Sequence, residues 1–274
     1  MDLKPLLTTL LLVCGLLAGC VAAPAPPLPS ATELERLPIL SGVISGHRVL
    51  RGEVYLADDV RVGPGAVLEL RPGTTVYVRS AEGTQIDPEY LSSLTELLVR
   101  GRLDINGTAR RPVRFIPLTP GSPAEPAWAG IILTGADGGQ IVGARIEQAE
   151  TGVLCIASSP EIRANLFTGN RYGIIAQQGS APRIFANRIE KGEGGIFCWR
   201  GSAPEIVGNE ILDHAEEGIF VDADSRPLLT GNRVSGNDLG LVLHDRALAG
   251  DPAQAQGNRE DLRILRLPPT EAAP

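Results

Sequence analysis

Five side chains in the second half of the chain invite a chemical reading: Phe197, Trp199, Phe220, Asp222 and His244. Trp199, Asp222 and His244 follow one another at intervals of 23 and 22 residues, and Phe197 precedes Phe220 by 23. Aromatic faces stack on sugar rings, and a carboxylate or an imidazole beside them can bond hydroxyls, so these five on one surface would form a carbohydrate-binding face. The competing reading is an apolar stripe covered by the tail, an insertion or a partner. Glu193, Glu216 and Asp238 recur at the same interval. Carboxylates this close raise one another's pKa or recruit a cation, and oxygen ligands suit Ca²⁺. The alternative is turn side chains in water, with Arg171 pairing Glu193. Asp222-Ala223-Asp224 opens like a calcium loop but lacks its glycine and distal glutamate.

Catalytic constellations are harder to assemble. Asp222 has Trp199 and His244 in its column rather than a second acid, so paired-carboxylate hydrolysis lacks a partner. The three histidines, His47, His214 and His244, show no metal spacing, and His214 beside Asp213 reads as a solvated turn. No phosphate loop or nucleophile elbow is present.

These intervals belong to a repeat that runs from Ser159 to Asp245. Prolines mark it at Pro160, Pro182, Pro204 and Pro227, and asparagines at Asn165, Asn187, Asn209 and Asn232. Glycines do so at Gly173, Gly195, Gly218 and Gly240. A period of 22 to 23 residues implies a solenoid whose units bury their apolar faces only against neighbours. Each unit has three short apolar segments between turn residues, as at Ile184, Ile189 and Ile196, and none sustains a helical period. The unit therefore closes one rung of a three-sided parallel β-coil. Stacked asparagines suit the turns, because they tolerate left-handed backbone and bond one another along the axis. In the strand after each column glycine, alternate residues point outward. That places Leu154, Ile175, Phe197, Phe220 and Val242 in one outer stripe, and Ile156, Gln177, Trp199, Asp222 and His244 in the next.

The Pro-x-Ile-x-x-Asn-x-Ile…Gly-Ile pattern resembles the right-handed parallel β-helix, or pectin-lyase-like, superfamily. Upstream GAVLELRPGTTVYV, LLVRGRLDINGTARRPVRFIP and WAGIIL resemble its opening coils. The resemblance covers residues 42–267 and implies an all-β, right-handed parallel β-helix with short capping or inserted helices. It leaves function open, because the fold hosts lyases, hydrolases, adhesins and non-catalytic modules. The lyases use clustered aspartates with calcium and an arginine, and the hydrolases use aspartates on adjacent rungs with a Gly-His-Gly segment. Neither constellation is in this chain. Other members help mature a periplasmic copper enzyme, but few Met and His residues argue against metal delivery here.

The N-terminus reads as a leader. Lys4 precedes the apolar run Leu6–Leu17, and Leu17-Ala18-Gly19-Cys20 resembles the bacterial lipoprotein signature. Residues 1–19 would be the signal, Cys20 the lipidated residue, and 20–41 a Pro-rich tether holding the domain at the membrane. Val21 after the cysteine favours the outer membrane, facing the periplasm or the surface, where the host has one. Thr32–Leu37 reads as one helical turn capping the first coil. Asp87-Pro88-Glu89 opens a short inserted helix through Tyr90–Leu98, with the coil resuming at Leu97. Pro117–Ala127 is a second insertion. After Asp245 the repeat fades into a last strand or cap at 261–267, and 268–274 is a frayed tail. A net charge of −7 without a basic stripe argues against nucleic acid. Cys155 and Cys198 fall in one column two rungs apart, so roughly 9–10 Å separates their Cα atoms, too far for a disulfide. They are expected to be free and buried. The function expected is an envelope lipoprotein acting as a non-catalytic interaction or carbohydrate-binding scaffold. Its partners are the membrane through the lipid, and a polysaccharide or an envelope protein. A polysaccharide lyase or glycoside hydrolase is the alternative.

Overall fold

A computed structural model describes residues 28–80, 92–251 and 254–265. The leader, Cys20, most of the tether, the start of the first insertion and the tail 268–274 lie outside the described residues. The chain winds as a right-handed parallel β-helix of three faces. Face I is an eight-stranded parallel sheet, from His47–Leu50 to Leu228–Thr230. Faces II and III form one continuous 17-stranded sheet, because Ile39–Ile44 and Glu53–Val62 bend through the corner between them. No described helix is long and apolar enough to cross a membrane.

The register stacks like on like. Face I aligns Ile141, Ile162, Ile184, Ile206 and Leu229. Face II aligns Phe115, Ile146, Phe167, Ile189, Ile211 and Val234. Face III aligns Val153, Ile174, Ile196, Ile219 and Leu241. All are buried, and these columns form one continuous core. Each buried Ile or Leu stabilises the fold by about 1.5–3 kcal/mol, so the rungs are held chiefly by this inward row.

Three polar ladders close the three corners. Between faces I and II, Asn165 Nδ2 donates to Asn187 Oδ1 (2.9 Å), Asn187 to Asn209 (2.9 Å) and Asn209 to Asn232 (3.1 Å). Between faces III and I, buried serines bond in pairs, the Ser158 amide to Ser180 Oγ and the Ser202 amide to Ser225 Oγ (both 3.1 Å). Between faces II and III the column reads Asn170, Gly192, His214, Asn237, Asn258. The ladders satisfy corner amides and carbonyls that strand pairing leaves over.

Three expectations are corrected here and one is extended. His214 is buried inside the third ladder, not solvated: its Nδ1 accepts from the Gly192 amide (3.2 Å) and its Nε2 faces the Ile189 carbonyl (3.3 Å). The last strand expected at 261–267 is present as Glu260–Ile264, and the ladders that were expected to fade after Asp245 run on to reach it. Gln254 Oε1 accepts from Asn232 Nδ2 (3.0 Å), Asn258 Oδ1 accepts from Asn237 Nδ2 (2.8 Å), and Glu260–Ile264 pairs with Leu239–Leu243. The inserted helix does not reach Leu98, because the described part of that segment is non-helical and a strand starts at Glu96. The first helix spans Ala31–Leu34, fixed by a Ser30–Glu33 capping box, and buries none of its residues, so it does not seal the coil.

Candidate ligand-binding face

On the outer surface of face III, Leu154, Ile175, Phe197, Phe220 and Val242 stand in register. The stripe has two halves. Toward the N-terminus, Leu98, Ala129 and Ile132 are buried, with Leu94, Leu154 and Ile156 packed on them. Toward the C-terminus, it becomes aromatic. Phe220 stacks on Phe197 with centroids 5.6 Å apart and on Trp199 at 4.9 Å. Phe197 lies 6.2 Å from Trp199 and nearly parallel to it. Tyr172 meets Phe197 edge-on at 5.0 Å. Phe197 is only 6% exposed, while Trp199, at 38%, presents its ring to solvent. Space for the Phe197 ring comes from Gly194, where a Cβ would lie 2.3 Å from it.

Sequence reasoning missed Tyr172. It stands one position before its column glycine, where neighbouring rungs carry Gly194, Glu217 and Leu239, so no recurring residue type marks it.

The polar members of the set are partly committed to the chain itself. Asp222 accepts from the amides of Arg200 (2.6 Å), Ser225 (2.9 Å) and Asp224 (3.2 Å). Burial opposes its charge, but hydrogen bonds from Ser225, Arg200 and Asp224 outweigh it and hold the carboxyl below its usual range. Its geometry is that of a turn former at the edge of the platform. His244 Nε2 lies 3.4 Å from an Arg226 guanidinium nitrogen, and its Nδ1 is buried without a partner.

Glu193, Glu216 and Asp238 occupy successive rungs at the other edge. Arg171 sits between Glu193 (3.6 Å) and Glu150 (3.5 Å) and donates to the Pro123 and Ala124 carbonyls, so it braces the Pro117–Ala127 insertion. Asp238 forms a two-pronged pair with Arg259, which holds its carboxyl below the usual range. Among the described residues no group of three His, Cys, Asp or Glu side chains is placed to hold a metal ion. Cys155 and Cys198 are free and buried, with Ala176 between them in the register. Burial pushes the Cys155 thiol up to about 12 and raises that of Cys198 as well.

A family model described as periplasmic copper-binding protein (NosD) matches residues 123–248, somewhat less than half of the chain. A solved mutant of the periplasmic alginate epimerase AlgG is 15% identical, with a TM-score of 0.39. The likeness covers 78% of this chain and 65% of that one, so this chain spans less than two thirds of that protein's length. No curated protein matches the chain.

The described donors do not fit the copper in that family's description. Copper favours thiolate, thioether and imidazole ligands. Both described thiols are sealed in the core with raised pKa values, and the imidazole of His214 is spent on the corner ladder. His47 pairs with Glu69 (3.5 Å), His244 Nε2 faces Arg226 (3.4 Å), and among the described residues neither belongs to a group of three His, Cys, Asp or Glu side chains that could hold a metal ion.

Proposed function

We propose that this chain is a lipid-anchored protein of the bacterial envelope whose β-helix is a non-catalytic scaffold, with the aromatic half of face III as its carbohydrate-binding face. The observation that carries this reading is the four-ring assembly of Tyr172, Phe197, Trp199 and Phe220, with Trp199 open to solvent. Phe197 and Phe220 brace Trp199, with Tyr172 behind Phe197, so a sugar would meet a platform that needs no ordering on binding. The leader ending at Cys20 supports the anchor, and the periplasmic family description supports the envelope compartment.

The test is retention and cleavage on a panel of polysaccharides, using the full-length protein in detergent. Retention without cleavage is expected, with Trp199→Ala weakening it at least about tenfold, or about 1.4 kcal/mol. Cleavage would overturn the non-catalytic reading in favour of a lyase or hydrolase. Binding that ignores Trp199→Ala would remove this face from the proposal.

A further inference from the structure

Three arginines of this acidic chain meet at one corner near the start of the coil. At the corner between faces I and II, the first three rungs turn at Arg51, Arg71 and Arg111. These three line a single cleft of about 330 Å³ together with Gly52 and Pro72. The Arg111 side chain lies against the Gly73 backbone, where a Cβ would come 3.1 Å from its Nε, and the Gly73 amide donates to the Arg111 carbonyl (3.0 Å). Arg71 pairs with Glu69 (3.0 Å), a carboxylate also held by His47 and Asn106. The nearby Glu53 accepts the Tyr77 hydroxyl (2.8 Å).

Among the described residues, three arginines thus line a cleft that no carboxylate lines, with Arg71 alone of the three paired to a nearby acid, Glu69, in a chain whose net charge is −7. Like charges gathered this way favour an anion between them. Guanidinium forks match the oxygens of phosphate, and the cleft has room for a diphosphate. We propose that this corner binds a phosphate group, carried by a lipid headgroup or by a soluble phosphate compound. The corner lies across the triangular coil from face III, so the site is separate from the aromatic platform.

The full-length protein in detergent would be titrated at low salt with pyrophosphate, and separately with phosphatidylglycerol in mixed micelles. The variants are Arg51→Ser/Arg111→Ser and, matched in charge change, Arg145→Ser/Arg233→Ser, each checked by its Tm for folding. The expected result is binding that falls at least tenfold in the first variant and holds in the second. Pyrophosphate binding alone assigns a soluble ligand; binding of phosphatidylglycerol as well assigns a headgroup. No binding of either probe, or equal losses in the two variants, overturns the proposal.

Discussion

An imidazole stands at His214 in a column that otherwise holds Asn170, Asn237 and Asn258, with Gly192 on the rung before it. The larger ring is tolerated because the rung before it carries Gly192, where a Cβ would lie 2.3 Å from the Asn170 carbonyl oxygen and 3.1 Å from the imidazole. Nδ1 must stay unprotonated to accept the Gly192 amide. Burial accordingly lowers the His214 pKa from 6.5 to about 4, against the pull of its contact with the Ile189 carbonyl. The unfolded chain therefore binds this proton first on acidification. The ladder's contribution is complete above pH ~6.5 and is lost as the pH falls toward 4, a total of about 3 kcal/mol. Denaturant melts at pH 7 and pH 4 should show the parent losing about 3 kcal/mol more than His214→Asn, whose amide accepts the same hydrogen bond without titrating. Equal losses in the two proteins would show that His214 does not titrate in this way. The neighbouring Asn165 column was legible in the sequence because four identical residues mark it. The column of His214 was not, because asparagine, glycine and histidine fill one geometric role with three chemistries.

At the scale of the rung, what must be conserved is the phase of each strand, and the corners absorb the rest. The glycine spacing grows from 22 residues to 23 between Gly195 and Gly218, while strand partners on both sides of the extra residue stay in step. The additional residue lies in the corner 214–217, where Ala215 is exposed. Deleting Ala215 restores the 22-residue spacing without touching a strand but removes the bond from its amide to the Gly192 carbonyl (2.9 Å), so it should cost about 1–3 kcal/mol. Inserting one alanine between Ile219 and Phe220 should instead prevent a cooperative fold, because a one-residue slip turns the inward row outward. Circular dichroism melts of the two variants would decide this, and similar Tm values would contradict it. This phase rule also explains what was readable in advance. The outer positions of Phe197, Trp199, Phe220, Asp222 and His244 follow from counting on from the column glycines. The commitment of Asp222 to three amides depends on the local path of the turn at 222–225, which counting cannot supply.

For the molecule as a whole, a solenoid is only as secure as its ends, since each rung is satisfied by the next. The sequence shows a last strand or cap at 261–267 but not the ladder contacts that lead to it, because Gln254 stands where the Asn165 column would place an asparagine. Gln254 reaches the amide and side chain of Asn232, Asn258 does the same for Asn237, and the side chain of Asp261 in turn accepts from Asn258. Glu260–Ile264 covers the edge of Leu239–Leu243, with Leu262 packed on the core. Ending the chain after Asp251 would strip both ladders of their last acceptor and leave a five-residue apolar strand with an open edge. Each orphaned buried amide costs about 1–3 kcal/mol and the lost core contacts add to that, so Tm should fall by more than about 10 °C. The open edge should also make the shortened protein self-associate with rising concentration, which sedimentation velocity would detect. A shortened chain that stays monomeric with an unchanged Tm would mean that the rung ending at Leu243 closes the helix by itself, and that the ladders of Gln254 and Asn258 are ornaments on an already finished end.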